Sequence, residues 1–225
     1  RINSNLAGAL VNSLNRAASS ATSSIERIST GLRINRAVDD PAGLGVSTKL
    51  RSMISALGQA NQNAETATSL TQTADSGLES IGSILTALDE LAVEAADTTI
   101  DASTRSGIAS EADALISEID RIAAATSFGG TSLLAASSNL TFFIGDGTAG
   151  SDDEISLTLS NAAASQFIDG VTSTNLAASG NTAVITSLDL GITSVSLQRS
   201  GVGAVQSRLE AIQTDIGTKI LNLQG

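Results

Sequence analysis

The chain has no cysteine, histidine, tryptophan or tyrosine, and each absence removes a class of chemistry. Without cysteine there is neither a disulfide framework nor a thiolate metal site. Without histidine there is no imidazole to serve as a base or a metal ligand. Lys49 and Lys219 are the only lysines, so a serine nucleophile would depend on one of them or on a carboxylate. With four Phe in 225 residues, the core must come from Ala, Leu, Ile and Val. Such side chains suit close helix-on-helix packing better than a wide aromatic core. No apolar run approaches the ~20 residues that span a bilayer, so membrane insertion is not expected. No charged-then-apolar signal segment opens the chain, which begins at Arg1 rather than Met and reads as trimmed there.

What charge there is lies unevenly. Residues 1–60 carry seven basic and three acidic groups, residues 61–125 two and twelve, and residues 126–225 three and eight. A positive head on a negative body suits staggered self-association, since opposite fields meet between copies. The blander reading is a solvated acidic helix. Nucleic acid is excluded as a partner for such a body, because phosphate binding needs clustered Lys and Arg.

The single proline sits in GLRINRAVDDPAG, Gly31 to Gly43. Gly31 ends or loosens the preceding helix. Asp39 or Asp40 can cap a new one that starts at Pro41, where the missing N–H costs nothing. One helix is therefore expected to stop near Arg33 and another to start at Pro41. Before the break, Ile2, Leu6, Leu10 and Leu14 are spaced by four residues, a helical pattern. So little apolar surface cannot offset the entropy of ordering the segment, and helix is expected there only against a partner.

From Pro41 to about Asp97 the pattern is helical. Ala74, Leu78, Ile81, Leu85, Leu88, Ala92 and Ala95 step by fours and threes, a heptad seam, widened by Ile84 and Leu91. A second seam runs through Ile108, Ala112, Leu115, Ile119 and Ile122, and a third through Val202, Val205, Leu209, Ile212, Ile216, Ile220 and Leu223. The expected fold is mainly α with a small β part: an elongated antiparallel helical rod, coiled-coil-like, carrying a β-hairpin and a short β excursion. Leu140, Phe142 and Ile144 alternate, as do Ile155, Leu157 and Leu159, which predicts the hairpin. A weaker strand is expected near Ala183 to Leu188. The domains read as an N-terminal segment and connector over 1–40, a helical rod over 41–138 and 191–225, and a β-rich insert over 139–190.

The candidate chemistry is thin. Ser47-Thr48-Lys49 lies inside a helical pattern with no strained turn to expose a hydroxyl. GDGTAG, Gly145 to Gly150, has the G-x-G-x-x-G form, but SDDEISLTL after it reads as strand where the dinucleotide fingerprint needs a helix. The same loop offers Asp146, Asp152, Asp153 and Glu154, hard oxygen ligands for Ca²⁺ in a spacing that fits no EF-hand, and a solvated loop is the favoured reading. The Asp89-Glu90 pair reads as surface charge, and GVGAVQ, Gly201 to Gln206, as a place for a kink or close helix approach. No catalytic residue and no cofactor is expected, and the chain is not read as an enzyme.

SSIERISTGLRINRAVDDPAGLGVSTKLRS, Ser23 to Ser52, closely resembles the N-terminal signature of bacterial flagellin. LDELAVEAAD, SEIDRIAAATSFGGTSLL and SGVGAVQSRLEA resemble further stretches of that family, in the same order. The resemblance implies a terminal domain built from both chain ends, a rod of long helices with a β-hairpin, and an outer insert, here much reduced. It also implies a further C-terminal helix that pairs with the N-terminal one, so the chain is expected to be a piece of a longer protein.

The function so implied is a secreted, extracellular structural subunit of the flagellar filament. It would self-assemble as a homopolymer for motility, served by an export chaperone and a filament cap. Subunit contacts are expected from Arg27, Arg33, Arg36, Asp39, Asp40, Lys49 and Arg51, with the acidic 75–120 face opposite. The family's patch for Toll-like receptor 5 maps to Ala87, Leu91 and Glu111. An arginine of that patch is Ala87 here, and two further family basics are Asp89 and Leu115, so receptor recognition is expected to be weak. The alternative is a cell-surface flagellin homologue that binds a ligand such as an extracellular polysaccharide. A hook–filament junction protein of the same superfamily is a third, less favoured reading.

Overall fold

The computed structural model describes residues 2–31, 33–145, 153–168, 171–178 and 182–224, and the fold is mainly helical. The chain divides into two compact units, Arg1–Ser55 and Ala56–Gly225. The first holds helix α1, Ile2–Thr30, a connector, and the opening turns of α2, which spans Pro41–Ala96. Gly31 stops α1 in the left-handed region, with φ 68°. This is the C-terminal stop that only glycine adopts freely, three residues before the expected end. Among the described residues, none of this unit joins the buried apolar core, whose members run from Leu57 to Ile216.

The second unit is a bundle of the remainder of α2 with α3, Ala102–Ala125, and α6, Thr182–Gln224. Between α3 and α6 lie β1 (Ser127–Phe128), β2 (Thr131–Ser132), β3 (Ser138–Phe143), β4 (Glu154–Leu159), α4 (Ala164–Phe167) and α5 (Ser173–Leu176). Each long helix buries the predicted seam. Ala74, Leu78, Ile81, Leu85, Leu88, Ala92 and Ala95 on α2, Ile108, Ala112 and Ile119 on α3, and Val202, Leu209 and Ile216 on α6 are all buried. Ile84, Leu91, Leu115 and Ile122 pack half-buried along the edges.

Contacts across the seams fix direction. Arg105 of α3 reaches the Ala95 carbonyl, while Gly77 lies against Thr126, so α3 returns antiparallel along α2. On α6, Val195 packs by Gly82, Arg199 bonds Asp75, and Gln213 bonds Thr68. That helix is antiparallel to α2 as well. Two glycines set the closeness. A Cβ at Gly77 would stand 2.7 Å from Thr126 Oγ1, and one at Gly191 would stand 2.6 Å from the Phe167 carbonyl oxygen.

The predicted hairpin is present as β3 and β4, antiparallel, with Leu140 opposite Leu157 and Phe142 opposite Ile155. Leu157 and Leu159 turn into the main core; Ile144 and Ile155 cover Ala64, Ala67 and Leu209. β1 and β2 form a tighter hairpin through Gly129 and Gly130, with φ 57° and 85°, the paired positive dihedrals of a type I′ turn.

The strand expected near Ala183 to Leu188 is instead the start of α6, which opens at Thr182 rather than 191. The physical reason is spacing. Val184, Leu188, Gly191 and Val195 are buried and extend the seam backwards by steps of four and three. Packing on that stripe overrides the strand preference of Val184 and Ile185.

Candidate self-assembly surfaces

The connector of the first unit is tied down by its carboxylates. Asp40 caps α2: its Oδ1 accepts from Gly43 N at 2.9 Å and its carbonyl from Leu44 N at 3.0 Å. A Cβ at Gly43 would run into the Asp40 carboxylate and Ile34 Cδ1, so a larger residue there has to displace those side chains. Asp39 turns the other way. Its Oδ2 accepts from Asn35 N at 3.4 Å and Arg36 N at 3.2 Å, and Oδ1 faces Arg27 at 3.4 Å. The two backbone donors, more than the guanidinium, hold its carboxyl below the ordinary aspartate value. Glu26 receives Arg36 at 2.8 Å and Asn35 Nδ2 at 3.1 Å.

The seven residues predicted for subunit contact therefore fall into two groups. Arg27, Arg36, Asp39 and Asp40 are engaged within the unit. Arg33, Lys49 and Arg51 are exposed cations, and none forms an ion pair among the described residues. Beside them α1 carries an uncovered apolar face: Leu6, Leu10 and Leu14 are 61, 60 and 72% exposed, and Val11, Ile25 and Ile28 are exposed too. The segment expected to be helical only against a partner is one unbroken helix, although nothing among the described residues covers this face.

Acidic groups of the second unit sort in the same way. Asp75 and Glu79 hold Arg199, and Glu118 holds Arg121. Asp101 caps α3 through Thr104 N at 2.7 Å, and Asp97 accepts from Thr99 N at 2.8 Å; these backbone bonds depress both carboxyls. Asp120 Oδ1 accepts from Ala164 N. Glu90, Glu94, Glu111 and Asp113 remain exposed, without a cationic partner among the described residues. The antiparallel register of α2 and α3 brings Glu90, Glu94 and Glu111 to one height in the bundle, near the turn between the two helices.

The receptor-patch equivalents lie in the same region. Glu111 is exposed, Ala87 is half-buried, and Leu91 is half-buried against the main core. Of the four carboxylates weighed for Ca²⁺, Asp146 and Asp152 lie outside the described residues. Glu154 is exposed on β4, and Asp153 has a buried Oδ2 with no partner. Among the described residues no group of three possible ligands gathers. Ser47-Thr48-Lys49 lies within α2, where the Thr48 hydroxyl donates to the Leu44 carbonyl at 2.8 Å. GDGTAG is followed by β4, not by a helix.

Three residues escaped the sequence reading. Arg105 is buried and donates to the carbonyls of Ala95, Asp97 and Ile100 at 2.9, 2.9 and 3.0 Å, which closes the turn between α2 and α3. A cation in the first turn of a helix opposes the dipole, and that oddity was the available signal. Arg199 forks onto Asp75 from the position next to the α6 seam, where coiled coils place their pairing charges. Asp89, read as solvated, is half-buried, with a buried Oδ1 that has no partner.

A family model described as the bacterial flagellin N-terminal helical region matches residues 2–139. A flagellin of Clostridium tyrobutyricum is 43% identical over 134 residues, which is 59% of this chain and 36% of that protein. A flagellin of Bacillus subtilis (strain 168) is 36% identical over 249 residues, with 93% of this chain and 80% of that one covered. Among solved structures, that of Bacillus cereus flagellin superposes with a TM-score of 0.58 at 26% identity, covering 69% of this chain and 88% of the other.

Proposed function

We propose, from the premise that this chain belongs to the bacterial flagellin family, that it is a structural subunit which assembles with identical copies into a flagellar filament. The observation that carries the reading is the uncovered apolar face of α1. Leu6, Leu10 and Leu14 share one helical stripe and stand more than half exposed. Fully burying a leucine is worth about 1.5–3 kcal/mol, so a helix that leaves such a stripe in water gains from any assembly that covers it. The family resemblance supplies the cover: a C-terminal helix paired with α1 in the filament core.

Lateral contact then follows from the charges left over. Arg33, Lys49 and Arg51 of one copy meet Glu90, Glu94, Glu111 and Asp113 of another. Carboxylates already held by Arg199, Arg121 or a helix cap are removed from the acidic face first expected. Localisation is extracellular, with export and capping proteins as the family's partners, and the chain acts by assembly rather than catalysis. Toll-like receptor 5 is recognised weakly, because Ala87 stands where the family patch has arginine and bidentate donors are lost. A strong receptor-reporter response at low concentration would overturn that last statement.

Seeded polymerisation of the full-length protein tests the main reading. Leu10→Asp with Leu14→Asp should abolish elongation while the helical signal of the second unit survives, since its core contains no residue of α1. Lys49→Glu with Arg51→Glu should raise the critical concentration, and mixing with Glu90→Lys, Glu94→Lys protein should restore assembly. Wild-type elongation by both variants would refute the proposal. The polysaccharide-binding alternative gains no support from the relatives.

A further inference from the structure

Two faces of the second unit carry no charge although they stand in water. On α6, ten positions from Leu190 to Leu221 step by threes and fours through Leu197, Ala204, Ala211 and Thr218; all are exposed and none is charged. This heptad stripe lies across the helix from the buried seam, and Leu190, Leu197 and Leu221 are 64, 73 and 69% exposed. On α2, eight positions from Gln62 to Ala87 step the same way through Ser69, Ser76 and Ser83, exposed or half-buried and again without a charge. Ser69, Thr73, Ser76 and Ser80 of that row line a groove of about 710 Å³ from the α2 side, and Arg121 and Phe128 line it from α3 and β1. Charged residues make up 16% of the chain. By composition alone these eighteen positions would hold about three of them, and more because charges favour the surface; they hold none. The hydroxyls of both rows are already bonded. Ser69, Thr73 and Ser80 on α2, and Thr214 and Thr218 on α6, donate to the carbonyl four residues back. Covering such faces strands no donor and desolvates no ion.

We propose that the α6 stripe of one copy docks lengthwise on the α2 groove of a second copy. The proposal deepens the self-assembly reading and rests on its premise that the neighbour is an identical chain. Each chain carries both halves of the contact, on different faces of the second unit. The α6 seam holds that helix to α2, so its stripe points away from α2, whereas the groove lies between α2 and α3. Two different faces that fit each other repeat from copy to copy and do not close on a pair. Stripe against stripe would instead close a two-fold dimer and leave both grooves open. Along the α2 row the contact is about 40 Å long and one helix, about 10 Å, wide. Counted over both partners it buries about 800 Å², less than the roughly 1,200–2,000 Å² of a stable complex. One such contact is weak, and it holds only where a polymer repeats it beside other contacts.

The chain has no cysteine, so single cysteines report the contact in seeded polymers of the full-length protein. Ser76→Cys protein is mixed in turn with Leu190→Cys, Leu197→Cys, Ala204→Cys, Ala211→Cys and Thr218→Cys protein, polymerised and oxidised. All six positions are exposed, so the variants keep the core intact. A disulfide needs Cα atoms about 4.4–6.8 Å apart, and the five stripe positions are about 10.5 Å apart along the helix. One or two of the mixtures should therefore give disulfide-linked dimers of unlike chains. Each stripe variant alone should give none, and neither should Leu197→Cys mixed with Ser110→Cys on α3. Leu190→Lys with Leu197→Lys should raise the critical concentration about tenfold, the loss of a buried leucine anchor. Polymers that form without a mixed link from any of the five, links as strong in a stripe variant alone, or a wild-type critical concentration for the lysine variant would overturn the docking and leave the filament reading standing. Failure of the wild-type chain to elongate from seeds would overturn the filament reading, and the docking with it.

Discussion

Replacing Gly191 by alanine should destabilise the second unit, whereas the same change at Gly201 should stabilise it. Both glycines lie inside α6, so each substitution gains about 1 kcal/mol of intrinsic helix preference. Their surroundings decide the sign. A Cβ at Gly191 would stand 2.6 Å from the Phe167 carbonyl oxygen, about 0.8 Å short of the 3.4 Å where ordinary van der Waals contact begins. The Phe167 carbonyl carbon would be 3.3 Å away. The obstacle is backbone, so the chain at α4 has to move as a whole. Phe167, Ile168 and Leu188 are core residues, and such a shift disturbs their packing. Overpacking of this kind costs about 1–3 kcal/mol, and with four-residue α4 packed directly on α6 the upper half of that range applies. The net loss is then about 1–2 kcal/mol after the helix gain.

At Gly201 nothing lies within 4 Å of the added methyl, and the gain of about 1 kcal/mol stands alone. At about 2–4 °C per kcal/mol for a unit of this size, the two variants should melt on opposite sides of wild type. Thermal and urea unfolding followed by circular dichroism reads both. The reasoning fails if Gly191→Ala is as stable as wild type, or if the two variants shift in the same direction.

Arg105→Ala should cost about 3 kcal/mol, because three carbonyls lose a charged, buried donor; Arg105→Lys should recover little, since one ammonium cannot reproduce the fork, and chemical denaturation of both variants checks this. Arg199→Ala should cost no more than about 0.5–1 kcal/mol, since the Arg199 and Asp75 side chains are 38% and 36% exposed and solvent screens the pair; the loss should shrink in high salt. Acid should release the connector. Asp39 has a depressed carboxyl, so its contribution is present above the ordinary aspartate value and lost as pH falls through the lower, folded one. The amide resonances of Asn35 and Arg36 should move together in that acid range. Asp39→Asn should leave them insensitive to it.

The sequence made the seams legible and left their register hidden. Sixteen positions from Ala74 to Ala95 and from Val202 to Leu223 were read as buried or edge residues, and the structure buries or half-buries them all. A heptad stripe declares itself because every turn of the helix repeats the same demand for cover. The start of α6 was missed because Ala183, Val184 and Ile185 have strand-forming neighbours in sequence and a helical purpose only in three dimensions. The apolar step from Val184 to Leu188 shows it once α2 and α4 are in place. The connector was half legible. A carboxylate next to proline announces a cap, but Asp39 and Asp40 offered the same chemistry, and geometry alone gave Asp40 the cap and Asp39 the backbone of Asn35 and Arg36.

Charge was the least legible property, and the reason is the same missing register. Asp75 and Asp89 each follow a residue of the predicted α2 seam, so sequence places both at the edge of a helix interface. Whether an edge attracts or repels depends on which residue of α6 stands opposite which residue of α2. That pairing is set by the turn Arg105 closes, by the approach that Gly191 permits, and by the length of chain between α3 and α6. None of these can be read from the stripe itself. Asp75 meets Arg199 at 2.8 Å and is neutralised within the unit, whereas Asp89 keeps a buried Oδ1 with no partner. The same accounting separates carboxylates already neutralised inside the unit from those left for a neighbour. Glu90, Glu94, Glu111 and Asp113 are therefore a narrower and more testable surface than the contrast of basic head and acidic body on which the first expectation of self-association rested.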